Sequence, residues 1–509
     1  MADSKHELTV EFIDEPELCF GFNQKTTYPK DGLVWFGPVD DKQKPSAMRI
    51  GVIGSAKGFE FYKDWVKKIN LPTLSEREAV HHVSFPGFEA VFACHWPEIP
   101  VCALKVSEAE ILNTIRIRDR HQAVYNTVSL FESEIRRYLN EEDSSVDLWF
   151  VVIPEEVYKY GRPQSKIPGS LAVAAPAKMN AKLAKRLVSE PSLFAEDNEV
   201  AELYHYELNF HNQLKARLLD TKAVVQVVRE TTLAPEHFTV DGHETRQLQD
   251  RASVAWNLCT TAYFKASGRP WRLADVRPGV CYVGLVFKLD ETSSDTRNAC
   301  CGAQMFLDSG DGVVFRGAVG PWYSERTREF HIPREKAQQI AEKVVEAYSR
   351  EHGFPPKELF IHGTTRLNVD EWEGFCDGVP KETNIVSIQI RHEDHFKLYS
   401  SGKHPLARGA YVQLHPKKGY LWTKGFVTRL QTYQGREVPK PLSIEICHGQ
   451  SDLRQVMTDV LGLTKVNFNR CDFADGVPVT LRFADTVGEI LTATPMAHDL
   501  PPLPFKHYI

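Results

Sequence analysis

The sequence predicts an α/β protein built in two parts, and three observations carry that expectation. In the first half, apolar runs of strand length alternate with helix-length amphipathic runs, the pattern of a parallel sheet with crossover helices. After "RPG" at 277–279 the order changes, and several strands follow one another before the next helix. The chain also has 509 residues, beyond the size at which a single core stops growing, so two or three domains are expected.

The elements can be justified in order. Up to about residue 100, "ELCFGFNQ", "DGLVWFGP" and "RIGVIG" read as short strands and turns punctuated by Gly and Pro. The segment 107–140 reads as helix, and "VDLWFVVIP" as a strand apolar on both faces, hence central and helix-covered. "PAKMNAKLAKRLVSE" is helix-like and gathers Lys178, Lys182, Lys185 and Arg186. A helix through 206–219, the strand "AVVQVV" and the helix "RASVAWNLCTTAYFKASG" complete the first half. In the second half, "VCYVGLVFKL" is followed by two strands in "ACCGAQMFLDSGDGVVFRG", joined by a turn at Ser309–Gly312. The amphipathic helix 334–353, the strand "ELFIHG" and the short helix "VDEWEGF" come next. Further strands are expected at "NIVSIQI", "GAYVQLH" and "PLSIEIC", and helices at "DLRQVMTDVLGLTKVNF" and "PVTLRFADTVGEILT". Antiparallel strands first, then helix–strand alternation, is similar to the ribonuclease-H topology. No repeat or long linker interrupts the chain, so the halves are expected to share an extensive interface.

Bulk composition narrows the function classes. The chain is 42% hydrophobic and 25% charged, as a globular protein is. No apolar run approaches the ~18 residues that span a bilayer, and the charged start "MADSKHELTVEF" lacks the apolar core of a secretion signal. A cytoplasmic location is therefore expected. Ten cysteines are scattered without CxxC pairs, with Cys300 and Cys301 adjoining, which favours reduced thiols over disulfides or a zinc site. "CHW" at 94–96 and "EICHGQ" at 445–450 read as packing, and "VIGSAKGFEF" lacks the GK[ST] ending of a phosphate loop. A net charge of −6 argues against a coat for nucleic acid, so a phosphate site must be a local basic pocket.

One stretch has the chemistry of such a pocket. His211 and Lys215, four residues apart on a helix, lie roughly 40° apart in projection, at the margin of the stripe that holds Leu214 and Leu218. A lysine there can lay its methylenes on apolar surface and present its ammonium at a cleft. Gln226 stands alone in an apolar strand and can add an amide N–H, so ammonium, imidazole and amide would converge on a phosphate. The plainer alternative is an ordinary HxxxK helix and an edge-strand glutamine. Lys265, near the cap-like Gly268, equally reads as a last-turn cation that complements its helix dipole.

The second half is poor in the carboxylates that a two-metal nuclease needs. The opening strand has Val286 at its middle, "ELFIHG" ends in His362 and Gly363, and Asp485 is a solitary candidate. Asp308 and Asp311 flank a hairpin turn, where Asp is favoured for backbone reasons. No hydrolytic activity is expected, the rival being a nuclease that uses Asp485 with Asp290 or Asp308.

Together these segments resemble a short prokaryotic Argonaute, a MID domain followed by a PIWI domain. "LCFGFNQ", "DGLVWFGPVD" and "RIGVIG" are similar to the opening of the MID region, and "FHNQLKARLL" with "VVQVVRETTL" to its phosphate-pocket helix, strand and turn. "CTTAYFKASGRPWRL" and "PGVCYVGLVF" resemble the MID–PIWI junction, and "LTKVNFNRCDFADGVPVTLRFADTVGEIL" the closing PIWI helices. The similarity is greatest to the subgroup paired with a TIR–APAZ protein.

The resemblance implies a Rossmann-like MID domain over 1–275, including the β-rich start, and a ribonuclease-H-like PIWI domain over 276–509. It implies a guide 5′-phosphate held by His211, Lys215, Gln226 and Lys265, with His211 where many relatives carry Tyr or Arg. It further implies Mg²⁺ bound there with the terminal carboxylate of Ile509 and with Gln226. With Val286 and Gly363 at the positions of family acids and Asp485 retained, the PIWI domain is expected not to cleave. The implied function is a guide-RNA-binding sensor of single-stranded target DNA. Its obligate partner would be a TIR–APAZ protein that assembles on target recognition and depletes NAD in prokaryotic immunity. A sirtuin-like NADase or an APAZ-fused nuclease is the alternative effector.

Overall fold

Four parallel strands form the sheet of the first half, in the order Cys102–Lys105, Ile50–Gly54, Leu148–Ile153, Val225–Arg229. The structure is a computed structural model that describes residues 8–39, 45–290, 295–306, 312–495 and 501–509. Leu148–Ile153 is buried at every position. Successive side chains alternate between faces: Leu148, Phe150 and Val152 pack with Tyr62, Trp65 and Trp96, while Trp149, Val151 and Ile153 pack with Phe131, Phe210 and Leu214. Helices thus cover both faces, as the uninterrupted apolar run requires.

Side-chain caps start these helices where the sequence supplies Ser, Asp or Asn. Ser55 Oγ accepts from Gly58 N before Ala56–Ile69, and Asp119 from Gln122 N before Arg120–Glu141. Asn209 caps Phe210–Leu218 and Asp250 caps Arg251–Lys265. The expected single helix through 107–140 is two, Glu108–Ile115 and Arg120–Glu141, because Asp119 starts a new one. A second correction concerns "DGLVWFGP", expected as strand and turn. Pro29 at the first turn pre-sets helical φ, and Pro29–Phe36 is a helix that stops at Gly37, φ +70°.

Among the described residues the second sheet is mixed and ten-stranded, nine strands coming from the second half and one from the start of the chain. Val280–Leu289, Ala299–Phe306 and Gly312–Gly320 make an antiparallel meander. Glu358–Gly363 and Asn384–His392 then add parallel to Val280–Leu289, with Arg334–His352 as the crossover helix. Of the expected turn Ser309–Gly312, residues 309–311, with Asp311, lie outside the described residues, as does Asp308, while Gly312 opens its strand. Gly284 has a local steric reason: a Cβ there would stand 1.9 Å from the Thr480 carbonyl oxygen, so the helix Val479–Arg482 packs directly on the strand backbone.

The two halves are interlocked through both ends of the described chain. Glu11–Phe12 pairs with Ala410 and Tyr411 at the edge of the second sheet, and Leu18–Cys19 pairs with Arg272–Leu273. Leu503–Pro504 closes the other edge of the large sheet, and the residues after it return to the helix Phe210–Leu218. One buried apolar cluster contains Trp65, Tyr263, Val286 and Tyr508, so the expected extensive interface is present.

A buried ionic cluster fastens the N-terminal segment to the second half. Glu15 accepts from Lys465 Nζ at 2.7 Å and from Arg408 Nε at 2.9 Å, while Lys465 also donates to Thr27 O at 2.6 Å. Burial pushes the Glu15 carboxyl up, and the Arg408 and Lys465 cations outweigh it, holding it below the usual carboxylate range. Removing one partner of such a cluster strands the others in a dry site, at a cost of about 3–5 kcal/mol. Glu15→Ala is accordingly expected to lower unfolding stability by about that amount at neutral pH. Because the folded-state value is depressed, the Glu15 contribution is present above the ordinary carboxylate range and lost as pH falls through the depressed value. Denaturant midpoints should therefore fall less steeply with acidification in Glu15→Ala than in the parent chain. Equal slopes would show that Glu15 is not the linked group.

Candidate anion-binding site

Two ammonium groups lie below the surface where the first sheet, two helices and the last residues of the sequence meet. Lys215 is 2% exposed, and its Nζ donates to the main-chain oxygens of Ile509 at 2.5 Å and Tyr508 at 3.5 Å. Lys265 is 1% exposed, and its Nζ donates to Val225 O at 3.0 Å and Gln226 Oε1 at 2.8 Å. Lys265 is therefore turned across to the neighbouring strand rather than left at its own helix end. Gln226 does sit on the edge strand of the first sheet, as the plainer reading has it, and its carbonyl oxygen still serves Lys265.

Helix geometry places Lys215 one turn below His211 on the same side. His211 Nδ1 faces Asn212 Oδ1 at 3.1 Å. Burial, and next the Lys215 charge, push the imidazole down to about 3, so at neutral pH it is an uncharged hydrogen-bonding group. Burial pushes Lys215 down to about 7, and burial together with the Lys215 charge pushes Lys265 well below its ordinary value. The four residues singled out in the sequence are thus brought together, and Ile509 joins them.

Next to His211 opens a cavity of about 330 Å³ that the sequence reading missed. Ile153 and Arg229, the last residues of two parallel strands, reach its wall. Arg162 and Arg229 pack on the Tyr158 ring, 3.5 and 3.7 Å from its centroid, and Arg246 donates to Thr232 Oγ1 at 2.7 Å. Burial and then the Arg229 charge push Arg246 down, the mark of several cations sharing one cavity. The carboxyl ends of parallel strands are where open α/β sheets bind ligands, and that rule would have pointed to Arg162 and Arg229. Within electrostatic reach of Lys265, His507 is buried with no hydrogen-bond partner for Nδ1 among the described residues, and burial pushes it down to about 4.

Other residues from the sequence reading lie elsewhere. Lys178, Lys182, Lys185 and Arg186 are exposed, with Arg186 paired to Glu190 at 3.0 Å, a solvated face. Val286 is buried opposite Gly302, Gly363 ends its strand opposite Gln389, and Asp485 is exposed in the first turn of Ala484–Thr492. Asp290 directly follows the strand Val280–Leu289, and Asp308 lies outside the described residues.

The charge on Lys215 makes a linkage test available. Its folded value of about 7 lies below the unfolded one near 10.4, so the unfolded chain binds more protons between them and stability rises with pH across that window. Lys215→Met is expected to flatten this rise in denaturant titrations. A parent chain with no such rise would refute the shift.

No protein-family model matches the chain, and no curated protein sequence matches it. Solved structures do. The Clostridium butyricum Argonaute bound to a guide DNA (5′ deoxycytidine) and a 19-mer target DNA superposes with a TM-score of 0.61 at 15% identity, over 97% of this chain and 54% of that one. Aa-Ago with externally bound siRNA gives 0.52 at 14% identity, over 99% and 56%, and A. aeolicus Argonaute gives 0.52 at 14%, over 97% and 54%. The chain thus spans about half the length of these proteins. Across that half, the α/β fold of this chain is the fold of Argonaute proteins.

Proposed function

We propose that this chain is a short Argonaute, a Rossmann-like MID domain followed by a ribonuclease-H-like PIWI domain, that holds a guide RNA by its 5′-phosphate. The observation that carries the reading is the pair of buried ammonium groups, Lys215 and Lys265, whose protein partners are main-chain and amide oxygens. Two cations withdrawn from water are costly unless an anion offsets them. A phosphate supplies the charge, and its oxygens suit convergent N–H donors. His211, uncharged, and the Gln226 amide N–H would complete the donor set, with the first nucleotide extending toward Arg162 and Arg229.

Gln226 and Ile509 offer the hard oxygens that Mg²⁺ takes together with substrate phosphates. Both oxygens are engaged by lysines, so the metal would depend on phosphate oxygens for most of its coordination. Its chemistry there would be to screen the repulsion between these oxygens and the phosphate.

The sequence resemblance supports the rest of the reading. Guide and single-stranded DNA target pair in the channel of the protein, which grips the duplex backbone while base pairing discriminates sequence. Val286 and Gly363 at the family's acid positions make this chain a sensor without nuclease activity of its own. Target pairing favours the assembling state of a heterodimer with a TIR–APAZ protein, whose NADase activity depletes NAD and arrests the invaded cell in the cytoplasm.

Two measurements test this. Wild-type protein should prefer 5′-phosphorylated over 5′-hydroxyl guide RNA, and Lys215→Ala with Lys265→Ala should abolish the preference. Each lost charge-assisted contact should cost about 1.5–3 kcal/mol. Equal affinities for both guides in the parent chain would overturn the pocket. Incubation with guide, labelled target DNA and Mg²⁺ or Mn²⁺ should leave the target intact. Guided cleavage that disappears in Asp485→Ala would replace the sensor with a nuclease.

A further inference from the structure

At the opposite end of the helix Arg251–Lys265 lies a larger cavity, of about 590 Å³. Its wall takes Asp250, Ser253 and Asn257 from this helix region, and even Asn257 stands about 12 Å from Lys265 at ~1.5 Å rise per residue, so the cavity is distinct from the lysine pocket. Its walls come from both halves: the helix Pro29–Phe36, residues 77–82 and 247–257, and the second-half segments 432–435 and 470–472.

Lys30 is the telling residue. It is 5% exposed and reaches this cavity, yet among the described residues it has no hydrogen bond and no ion pair. Its ring contact is Trp256, 5.8 Å from Nζ, a weak partner for an ammonium, and Cys471, His81 and His82 lie near it. The Arg77 side chain, exposed at the rim, likewise has no carboxylate partner among the described residues. The His81 and His82 rings lie 4.2 Å apart, tilted by 43°, within electrostatic reach of both cations.

The carboxylates in the wall are already used. Asp250 accepts from Ser253 N at 3.2 Å, Glu76 N at 2.8 Å and Ser75 Oγ at 3.1 Å, and Asp472 pairs with Arg470 at 3.0 Å. Neither offsets Lys30. The remaining wall is rich in amides: Gln247 and Gln434, and Gln249, whose Oε1 accepts from Asn257 Nδ2 at 3.3 Å while Asn257 Oδ1 accepts from Cys471 N, with the half-buried ring of Tyr433 beside them. Amides match the donor and acceptor edges of a nucleobase, and a tyrosine ring offers it a stacking face. The volume is that of a small-molecule site.

We propose that this cavity is a second anion site that takes a nucleotide unit, its phosphate on Lys30 and Arg77 and its base among Tyr433 and the amides. The unit can be a free nucleotide or one residue of a strand, since both present the same phosphate and base.

The test uses the full chain carrying Lys215→Met, which disables the lysine pocket, titrated calorimetrically with adenosine monophosphate. Saturable binding is expected, and adding Lys30→Met, which keeps the aliphatic stem on Trp256, should weaken it by about tenfold or more. Arg77→Ala, at an exposed position that cannot disturb the core, should weaken it in the same direction. Displacement of the nucleotide by a 5′-hydroxyl single-stranded DNA would identify a strand residue as the source, and failure to displace a free nucleotide. No binding at millimolar nucleotide, or an affinity unchanged by both Lys30→Met and Arg77→Ala, overturns the proposal. Neither result touches the lysine pocket, whose test reads guide phosphorylation.

Discussion

Two buried ammonium groups organise this protein. Lys215 and Lys265 come from helices far apart in sequence, and each is pulled from water onto oxygens of other segments: the last residues of the sequence and the edge strand Val225–Arg229. Holding a lysine in such a place costs several kcal/mol of hydration, and the depressed values of both groups record that cost. Main-chain and amide oxygens return part of it. The remainder is available to a negative charge brought into the pocket, and the proposed phosphate site rests on that.

That constraint explains why the molecule is interlocked. The residues around Ile509 reach the first-half helix after their chain has paired along the edge of the second-half sheet. The N-terminal segment does the reverse, adding Glu11–Phe12 to the other edge and placing Glu15 between Arg408 and Lys465. Each half therefore contributes to the stability of the other, and a phosphate in the pocket would touch groups from both.

The charge distribution follows a consistent plan. Net charge is −6, and below the surface cations gather in recesses: the lysines, the arginines on Tyr158, of which Arg229 also pairs with Glu155, and the cavity beside Lys30. A mildly acidic protein with cationic recesses selects anions by shape and burial rather than by general attraction to nucleic acid.

The sequence by itself determined the parallel sheet and its central strand, because an uninterrupted apolar run such as "DLWFVVI" can be satisfied only between two helical layers. Helices begin at Ser55, Asp119, Asn209 and Asp250, though the run through 107–140 hid the break at Asp119, the expectation of strands and turns up to about residue 100 missed the helix Ala56–Ile69, and "DGLVWFGP" hid a helix behind strand-like residues. Of the site, His211, Lys215 and Gln226 were legible because helical spacing and a lone polar residue in an apolar strand are local signals. Lys265, by contrast, looked like an ordinary helix-end cation, and the two lysines' convergence on the strand and on Ile509 depends on contacts spanning tens to hundreds of residues. Lys30 carries no local mark at all, and Arg162 and Arg229 are marked only by their place at or after the carboxyl ends of parallel strands. Tertiary structure decided them, since burial and the absence of a counter-charge are properties of packed segments, not of spacing along one.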